Sequence, residues 1–329
     1  MLRIGLVGAG GIAREHLKSI LAIEDIKVVA IADPVTESAE ALAAQAGATA
    51  YADYHNLIGK VDAAWICTPT FLHPEQTISL AEAGIHVFCE KPIALDLESA
   101  DQMIAAATRG GVQLMIGHVI RYYPETIAIK QFLDDGTLGD PVYVYGRRLM
   151  VQGGIHRVEW RQSAKTAGGN ALESGIHEVD TVRTLGGEVE SVTARIVYGD
   201  ANDPDIDTDF RALFKLQSGA TGAVDISIHT PVREWNWGIV GTKATAYSPR
   251  RGEVRVVRIA DKEEQTVEVQ KVHDQERQLN RCMLAENQAF VDAIRQESPV
   301  PISGKDGRRN LEIILAAHQS SREGRVVAI

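Results

Sequence analysis

Residues 2–13 read LRIGLVGAGGIA, a short apolar run that passes directly into a glycine-rich turn. The run has the length and composition of a buried strand, and residues 11–22 have the periodicity of a helix. The turn fits the pattern G-x-G-x-x-G/A. Its first glycine permits a tight bend, its second lets the backbone approach a pyrophosphate, and its small last residue lets the helix pack on the strand.

The turn by itself is also compatible with an ordinary strand-to-helix connection. A carboxylate, Asp33, ends the second predicted strand, at the spacing where it can accept hydrogen bonds from the ribose hydroxyls of a dinucleotide. The helix start offers free N–H groups to the phosphates. We therefore predict that Gly8, Gly10, Gly11, Ile12 and Asp33 bind a dinucleotide. Asp33 would repel a 2′-phosphate, so NAD is preferred and NADP is not excluded.

Strands and helices alternate along the first part of the chain, which predicts βαβ units and a doubly wound parallel sheet. The predicted strands are residues 2–7, 27–32, 63–67, 86–89 and 113–116, and the predicted helices are residues 11–22, 36–46, 75–83 and 97–108. Asp96 precedes one helix, and Gly47, Gly84 and Gly110 follow others, as capping residues do. We expect a first domain over residues 1–120.

Beyond residue 141 strand follows strand, which predicts a large, open, mostly antiparallel sheet in an α+β domain over residues 121–329. The predicted strands are residues 142–151, 189–198, 208–216, 220–229, 235–240, 253–259 and 265–269, with a final one over 325–329. Helices are predicted over residues 170–184, 275–295 and 307–322, and the final helix can pack back on the first domain.

Length and charge set the broad class of the protein. The chain has 329 residues and a formal net charge of −10, which fits two domains and disfavours a general nucleic-acid or anionic-membrane surface. No apolar run approaches the length of a membrane span. Three scattered cysteines favour a reduced, cytoplasmic protein, and no spacing of histidines predicts a metal site.

Two short segments fall where a ligand crevice is expected. Residues 67–70, CTPT, follow the third predicted strand, and residues 90–92, EKP, follow the fourth. The loops beyond the carboxyl ends of parallel strands line the crevice of such a sheet. We expect Thr68, Pro69, Glu90 and Lys91 to meet the cofactor there, and Lys91 to donate to a substrate oxygen. A surface lysine in a loop is the alternative.

Residues 168–180, GGNALESGIHEVD, form the third segment. In a helix Glu173 and His177 are neighbours at i and i+4, with Asp180 on the same side. A carboxylate beside an imidazole orients it and raises its pKa, which favours general-base work near neutral pH. A solvated polar helix face is the alternative, although three glycines disfavour an ordinary surface helix.

Together these motifs resemble those of the glucose–fructose oxidoreductase and inositol dehydrogenase (Gfo/Idh/MocA) family. The resemblance spans essentially the whole chain and includes His73 after the CTPT segment and residues 321–327 at the end. It implies oxidation of a secondary alcohol on a sugar, inositol or related polyol, or the reverse reduction. It assigns the reacting oxygen to Lys91 and acid–base catalysis to His177, and it places His73 on the cofactor side. Glu173 stands where many members carry Asp.

Weaker substrate-binding candidates are His118, Arg121, His156, Arg161 and Asn170, each of which also fits ordinary packing or ion pairing. Two alternatives to a dehydrogenase remain open: a cofactor-retaining sugar–sugar oxidoreductase and a non-catalytic dinucleotide-sensing regulator. The exposed face of the second sheet, together with what the family resemblance implies, predicts a homodimer or homotetramer joined through that sheet. The whole scheme expects the Lys91 amine and the His177 imidazole to converge beside a bound nicotinamide.

Overall fold

The computed structural model describes residues 1–150, 158–199, 203–269 and 275–329. The chain forms two compact units: residues 1–119 with 276–309, and residues 120–275 with 310–329. From the sequence, residues 276–309 are expected in the second domain, with the final helix able to pack back on the first. Within the first unit, the buried side chain of Asn287 accepts from Trp65 Nε1 at 2.8 Å and donates to Ser19 Oγ at 2.7 Å.

The first unit is a six-stranded parallel sheet in the order β3-β2-β1-β4-β5-β6, as expected for a doubly wound fold. Its elements in chain order are β1 (Leu2–Val7), α1 (Gly11–Ile20), β2 (Ile26–Ala32), α2 (Thr36–Ala46), β3 (Thr49–Tyr51), β4 (Ala63–Ile66), α3 (His73–Glu82), β5 (His86–Glu90), α4 (Leu97–Gly110) and β6 (Leu114–Gly117). The predicted parallel sheet is confirmed.

Local signals explain where these helices begin and end. Asp96 caps α4 by accepting from the Ser99 amide at 2.7 Å, and Gly47 ends α2 in the left-handed conformation. Every residue of β4 and β6 is buried, because helices cover both faces of a doubly wound sheet. Trp65 and Phe88 stack in this core.

The second unit carries a nine-stranded sheet in the order β14-β13-β12-β11-β7-β10-β9-β8-β15. The remaining elements in chain order are α5 (Pro124–Asp134), β7 (Pro141–Leu149), α6 (Ala164–Ala167), a π-helical turn (Ala171–Gly175), α7 (Ile176–Gly186), β8 (Val189–Tyr198), β9 (Asp207–Leu216), β10 (Thr221–Ser227), β11 (Glu234–Gly241), β12 (Ala244–Arg250), β13 (Glu253–Arg258), β14 (Glu264–Glu268), α8 (Gln275–Arg295), α9 (Gly304–Glu323) and β15 (Val327–Ala328). The predicted mostly antiparallel sheet is confirmed, with β7 and β10 as a parallel pair.

The two faces of this sheet differ in what covers them. On one face Gly146 of β7 lets α7 approach so closely that a Cβ there would lie 2.8 Å from Glu178 Cβ. On the other face Tyr143 and Tyr145 stack on each other beside a cavity of about 750 Å³, which Ala223 also lines. The catalytic candidates of the second unit follow α6, on the helix-covered side.

The sequence predicts none of four short or irregular elements, which are β3, α5, α6 and β12. The helix predicted over 170–184 is wrong as a single regular helix, because a π-helical turn precedes α7. Such turns insert a residue into the helical ladder and occur frequently at functional sites.

Candidate active site

The glycine turn of the first unit has two kinds of glycine. Gly8 adopts a φ of +94°, and a Cβ at this residue would lie 2.8 Å from the Cys67 carbonyl oxygen. Gly10 and Gly11 are exposed, and a Cβ on either would meet nothing within 4 Å. Gly8 is thus needed by the fold, whereas the space above Gly10 and Gly11 is open.

The start of α1 is free of the groups that would compete with a phosphate. No side chain caps it, and its first turn contains no acidic residue. Ile12 is 39% exposed at this start. An uncapped helix N-terminus beneath open space fits a dinucleotide pyrophosphate.

Asp33 is fixed at the end of β2 by two backbone donors. Its Oδ2 accepts from the Ala9 amide at 2.7 Å, and its Oδ1 accepts from the Val35 amide at 2.8 Å. The carboxylate is therefore held against the glycine turn. Each carboxylate oxygen has a further lone pair, so this position also fits ribose hydroxyls.

His73 connects the two loops that the sequence singled out. Its Nε2 lies 2.9 Å from the Thr68 carbonyl oxygen, and its Nδ1 lies 2.8 Å from the Pro92 carbonyl oxygen. Thr68 also donates through Oγ1 to Gln76 at 2.6 Å. His73 is 1% exposed, so it holds both loops from within, and its cofactor-side role stays a prediction.

The EKP segment forms a turn at the end of β5. The Lys91–Pro92 peptide bond is cis. The Lys91 amide donates to Glu90 Oε2 at 3.2 Å, and Glu90 Oε1 lies 2.8 Å from His16 Nε2. Burial alone would raise the pKa of Glu90, but His16, with Lys91 and His73, outweighs it and holds that pKa below its usual value.

In the second unit Asp207 anchors the π-helical turn. Its Oδ2 accepts from the Ala171 amide at 2.7 Å, and Gly169, at a φ of +97°, leaves room for its other oxygen. Asn170 donates to the Thr208 carbonyl at 3.1 Å, while its buried Oδ1 has no hydrogen-bond partner among the described residues. The turn is held from β9, and Asn170 keeps one acceptor that a ligand hydroxyl could satisfy.

Glu173 and His177 have different surroundings. Glu173 is buried and its Oε2 lies 3.1 Å from Nε of Arg161, whose guanidinium stacks on Trp160 at 4.8 Å. His177 is partly exposed, and it is the one side chain in the described run 169–182 that is not buried. Arg161, predicted as a substrate ligand, forms an ion pair with Glu173.

Asp180 and Arg121 form a further ion pair in this unit. Arg121 donates to the two carboxylate oxygens at 2.8 and 2.6 Å, and Asn310 donates to the same carboxylate at 2.8 Å. Asp180 is 1% exposed. The pairing positions α7 against α9, and it accounts for an arginine that the sequence proposed for substrate.

His118 and His156 are the remaining substrate-binding candidates from the sequence. His118 follows β6 in the first unit and is 0% exposed. His156 lies outside the described residues. The sequence reasoning missed His16 and Asp207, because each acts through a residue distant in the chain and no local pattern marks either one.

Other kinds of chemistry find little support in the described part of the chain. No cluster of His, Cys, Asp or Glu there could hold a metal ion. Cys67, Cys89 and Cys282 are buried, and burial raises the pKa of the Cys67 and Cys89 thiols, which keeps these two neutral. Among the described helices, none combines the length and apolar character needed to span a bilayer.

The chain is similar over its full length to proteins with named activities. It is 29% identical to a protein named myo-inositol 2-dehydrogenase from Thermotoga maritima, over 100% of this chain and 98% of that one. It is also 29% identical to one named inositol 2-dehydrogenase from Rhizobium meliloti, over 100% and 99%. A solved levoglucosan dehydrogenase, in complex with NADH and levoglucosan, shares the fold with a TM-score of 0.91, 24% identity and coverage of 100% and 99%.

Models of the two domains of one protein family match nearly all of the sequence. Residues 2–118 match its NAD-binding Rossmann fold, and residues 130–329 match its C-terminal alpha/beta domain. The parallel sheet with its glycine turn and the large second sheet are the structural counterparts of these two matches. The chain therefore belongs to the Gfo/Idh/MocA oxidoreductase family.

Proposed function

We propose that this protein oxidises a secondary alcohol of an inositol, a sugar or a related polyol with NAD⁺, or catalyses the reverse reduction. Two full-length relatives at 29% identity named as inositol 2-dehydrogenases support the substrate class. The observation that carries the mechanism is the exposure of His177 alone within the buried run 169–182. A histidine in that setting can exchange a proton with a bound substrate.

The proposed chemistry divides between two side chains. His177 Nε2 or Nδ1 takes the proton of the substrate hydroxyl, and the Lys91 ammonium donates a hydrogen bond to the oxygen as negative charge develops there. When bound, NAD⁺ supplies the two-electron acceptor for the hydrogen on the carbinol carbon. Glu173 is proposed to orient the segment through its ion pair with Arg161.

The cofactor preference, location and assembly are parts of the same proposal. Asp33 supports NAD over NADP because its carboxylate would repel a 2′-phosphate. Three scattered, buried cysteines support a cytoplasmic location. One face of the second sheet is covered by no described helix, and this supports a homodimer or homotetramer. His73, Thr68, Pro69 and Glu90 are proposed on the cofactor side, and His118, Arg121, Arg161 and Asn170 near substrate.

The test is NAD⁺ reduction measured against inositols, aldoses, sugar acids and anhydrosugars. Wild-type turnover on one class is expected, and Lys91→Met and His177→Asn should each lower kcat by about 100-fold or more. NADH affinity, measured by fluorescence, should change little in either variant.

Each alternative predicts a different result in the same assay. Exchange between two sugars with no free NADH would favour a cofactor-retaining enzyme. NADH binding with no turnover on any class would favour a sensor. Full activity in His177→Asn on the true substrate would overturn the assignment of the base.

A further inference from the structure

A polar cluster in the first unit, buried except for the partly exposed Glu90, lies behind the EKP turn. It consists of His16 in the second turn of α1, Glu90 at the end of β5, Asn287 of α8, Ser19 and Trp65. His16 is 0% exposed and Asn287 is 0% exposed. Buried polar groups carry a high cost unless they are paired, so a cluster of this kind fixes the positions of its members.

The hydrogen bonds of Asn287 determine which of its amide atoms faces His16. Trp65 Nε1–H can only donate, and it lies 2.8 Å from Asn287 Oδ1. Asn287 Nδ2 donates to Ser19 Oγ at 2.7 Å, and Ser19 Oγ in turn donates to the His16 carbonyl at 2.9 Å. The atom 3.0 Å from His16 Nδ1 is therefore an acceptor, and Nδ1 carries a proton.

This assignment constrains the other ring nitrogen. With Nδ1 protonated, the 2.8 Å contact between His16 Nε2 and Glu90 Oε1 needs one more proton, on either the nitrogen or the oxygen. An ionised Glu90 therefore pairs with a doubly protonated imidazole. The lowered pKa of Glu90 supports this ion-pair form.

Glu90 transmits this constraint to the EKP turn. Its Oε1 is held by His16, and its Oε2 accepts from the Lys91 amide at 3.2 Å. Gly117 of β6 makes room for the carboxylate, since a Cβ there would lie 3.1 Å from Oε1. Rotation of Glu90 about its side-chain bonds would break both contacts together. By holding the Glu90 carboxylate, His16 therefore fixes the backbone conformation at Lys91, the first residue after β5.

We propose that His16 is a positioning residue for Lys91, acting through an imidazolium–carboxylate pair with Glu90 that Asn287 holds in register. The proposal rests on the catalytic role proposed above for Lys91. The proposal adds that α1, which follows the glycine turn, is linked to the EKP turn through this hydrogen-bonded cluster. The segment proposed to bind the cofactor and the segment proposed to bind the substrate oxygen are therefore held by the same side chains.

Two substitutions of His16 separate its two hydrogen bonds. The amide nitrogen of His16→Gln replaces Nε2 and keeps a donor to Glu90, whereas that of His16→Asn replaces Nδ1 and keeps the bond to Asn287. We expect His16→Gln to retain kcat within about threefold and His16→Asn to lose about 10- to 100-fold, since small displacements of a reacting group cost that much. Equal losses, or a larger loss in His16→Gln, would contradict the proposal.

A second readout does not depend on turnover. Amide hydrogen exchange at Lys91, followed by NMR, should be accelerated about tenfold or more in His16→Asn and near wild type in His16→Gln, because only the latter keeps Glu90 in place. His55→Asn, at an exposed histidine, is the matched control and should change neither exchange at Lys91 nor kcat. Exchange that responds equally to both His16 variants would overturn the positioning role even if no substrate were found.

The protonation state is tested in the unsubstituted protein. In ¹⁵N-histidine spectra we expect the His16 ring, assigned by its absence from the His16→Gln spectrum, to carry protons on both nitrogens, and we expect Glu90→Gln to remove the proton on Nε2. A His16 ring with Nδ1 unprotonated would contradict the assignment whether or not the His16 variants fold. Absence of dehydrogenase activity with these spectra intact would count against the proposed function alone.

Discussion

Adding a single methyl group has different expected effects at different glycines of the glycine turn. Gly10 has a φ of −74°, which alanine adopts freely, and its Cβ would stand in open space. Gly10→Ala should therefore leave the melting temperature of the cofactor-free protein unchanged or slightly raised, because alanine costs the unfolded chain less entropy. The added methyl should obstruct the pyrophosphate and weaken NADH binding by about tenfold or more, read from fluorescence titration.

Gly8→Ala is the contrasting control for that prediction. Its φ of +94° and its 2.8 Å approach to the Cys67 carbonyl should cost about 1–3 kcal/mol of folding free energy before any cofactor is added. A lower melting temperature for Gly10→Ala than for Gly8→Ala would show that this account of the turn is wrong.

Asp33 offers a prediction about cofactor choice. Asp33→Asn keeps an acceptor for the Val35 amide but removes the charge that should exclude a 2′-phosphate. We expect kcat/KM for NAD⁺ to fall about 10- to 100-fold, the value of a lost charge-assisted hydrogen bond. The ratio of NADP⁺ to NAD⁺ use should rise correspondingly. An unchanged ratio would place the specificity determinant elsewhere.

At the scale of elements, the sequence predicts the helices and strands in which buried and exposed residues follow a regular pattern. Helix α5 was missed because Glu125 and Thr126 are buried in it while Ile127 is 43% exposed, which reverses the usual amphipathic order. Strand β3 has three residues, and β12 contains alanines and Pro249, which favour strands weakly. Adjacency of β7 and β10 could not be foreseen, because pairing between distant strands leaves no local signal.

The candidate site shows the same division. Gly8, Asp33, Lys91 and His177 belong to motifs whose spacing is visible along the chain. The partners that hold the motifs in place are not visible, because the pairs are formed across long sequence separations. Asp207 reaches Ala171 from β9, and Asn287 reaches His16 from α8. A sequence can therefore indicate the candidate residues of a site before it indicates the residues that hold them in place.

Asp207 makes the anchoring of the π-helical turn dependent on pH. Burial, with a contribution from Asp209, raises its pKa to about 7, although the Ala171 amide opposes this. Between pH 4 and 7 the unfolded carboxyl is ionised while the folded one stays protonated. Stability from this group therefore falls as pH rises through that window, by at most about 1.4 kcal/mol per pH unit, and changes little above it.

Asp207→Asn should remove this dependence while keeping an acceptor for Ala171. The free energy of unfolding, from denaturant titrations, should favour the wild type over this variant more at pH 5 than at pH 8. Asp205→Asn makes the same chemical change at an exposed position and should show no such trend. A difference between wild type and Asp207→Asn that stays constant with pH would contradict the raised pKa.

At the scale of the whole molecule, division into units does not follow chain order. The chain leaves the first unit near residue 119 and returns to it as α8. Asn287 of α8 supplies a hydrogen-bond partner to Trp65 of the Rossmann sheet, although it lies more than 200 residues away in the sequence. We expect any fragment ending before α8 to leave His16 and Trp65 without their shared partner, so the first unit should not be stable as residues 1–119 alone.

The open face of the nine-stranded sheet carries the prediction about assembly. Ala223 lies at the centre of this face, paired with Tyr145 in register, among the residues that line the 750 Å³ cavity. If two copies meet there, Ala223→Glu buries an added carboxylate beside Asp225, whose partners Arg147 and Arg211 are already engaged, and this is a costly change at an interface. The dissociation constant of the oligomer formed by the Ala223→Glu protein should rise about 100-fold or more. Light scattering after size-exclusion chromatography should then show a monomer. Ala41→Glu, on the exposed side of α2, is the matched control and should keep the wild-type mass. A wild-type monomer, or an Ala223→Glu protein with the wild-type mass, would exclude this face as the interface.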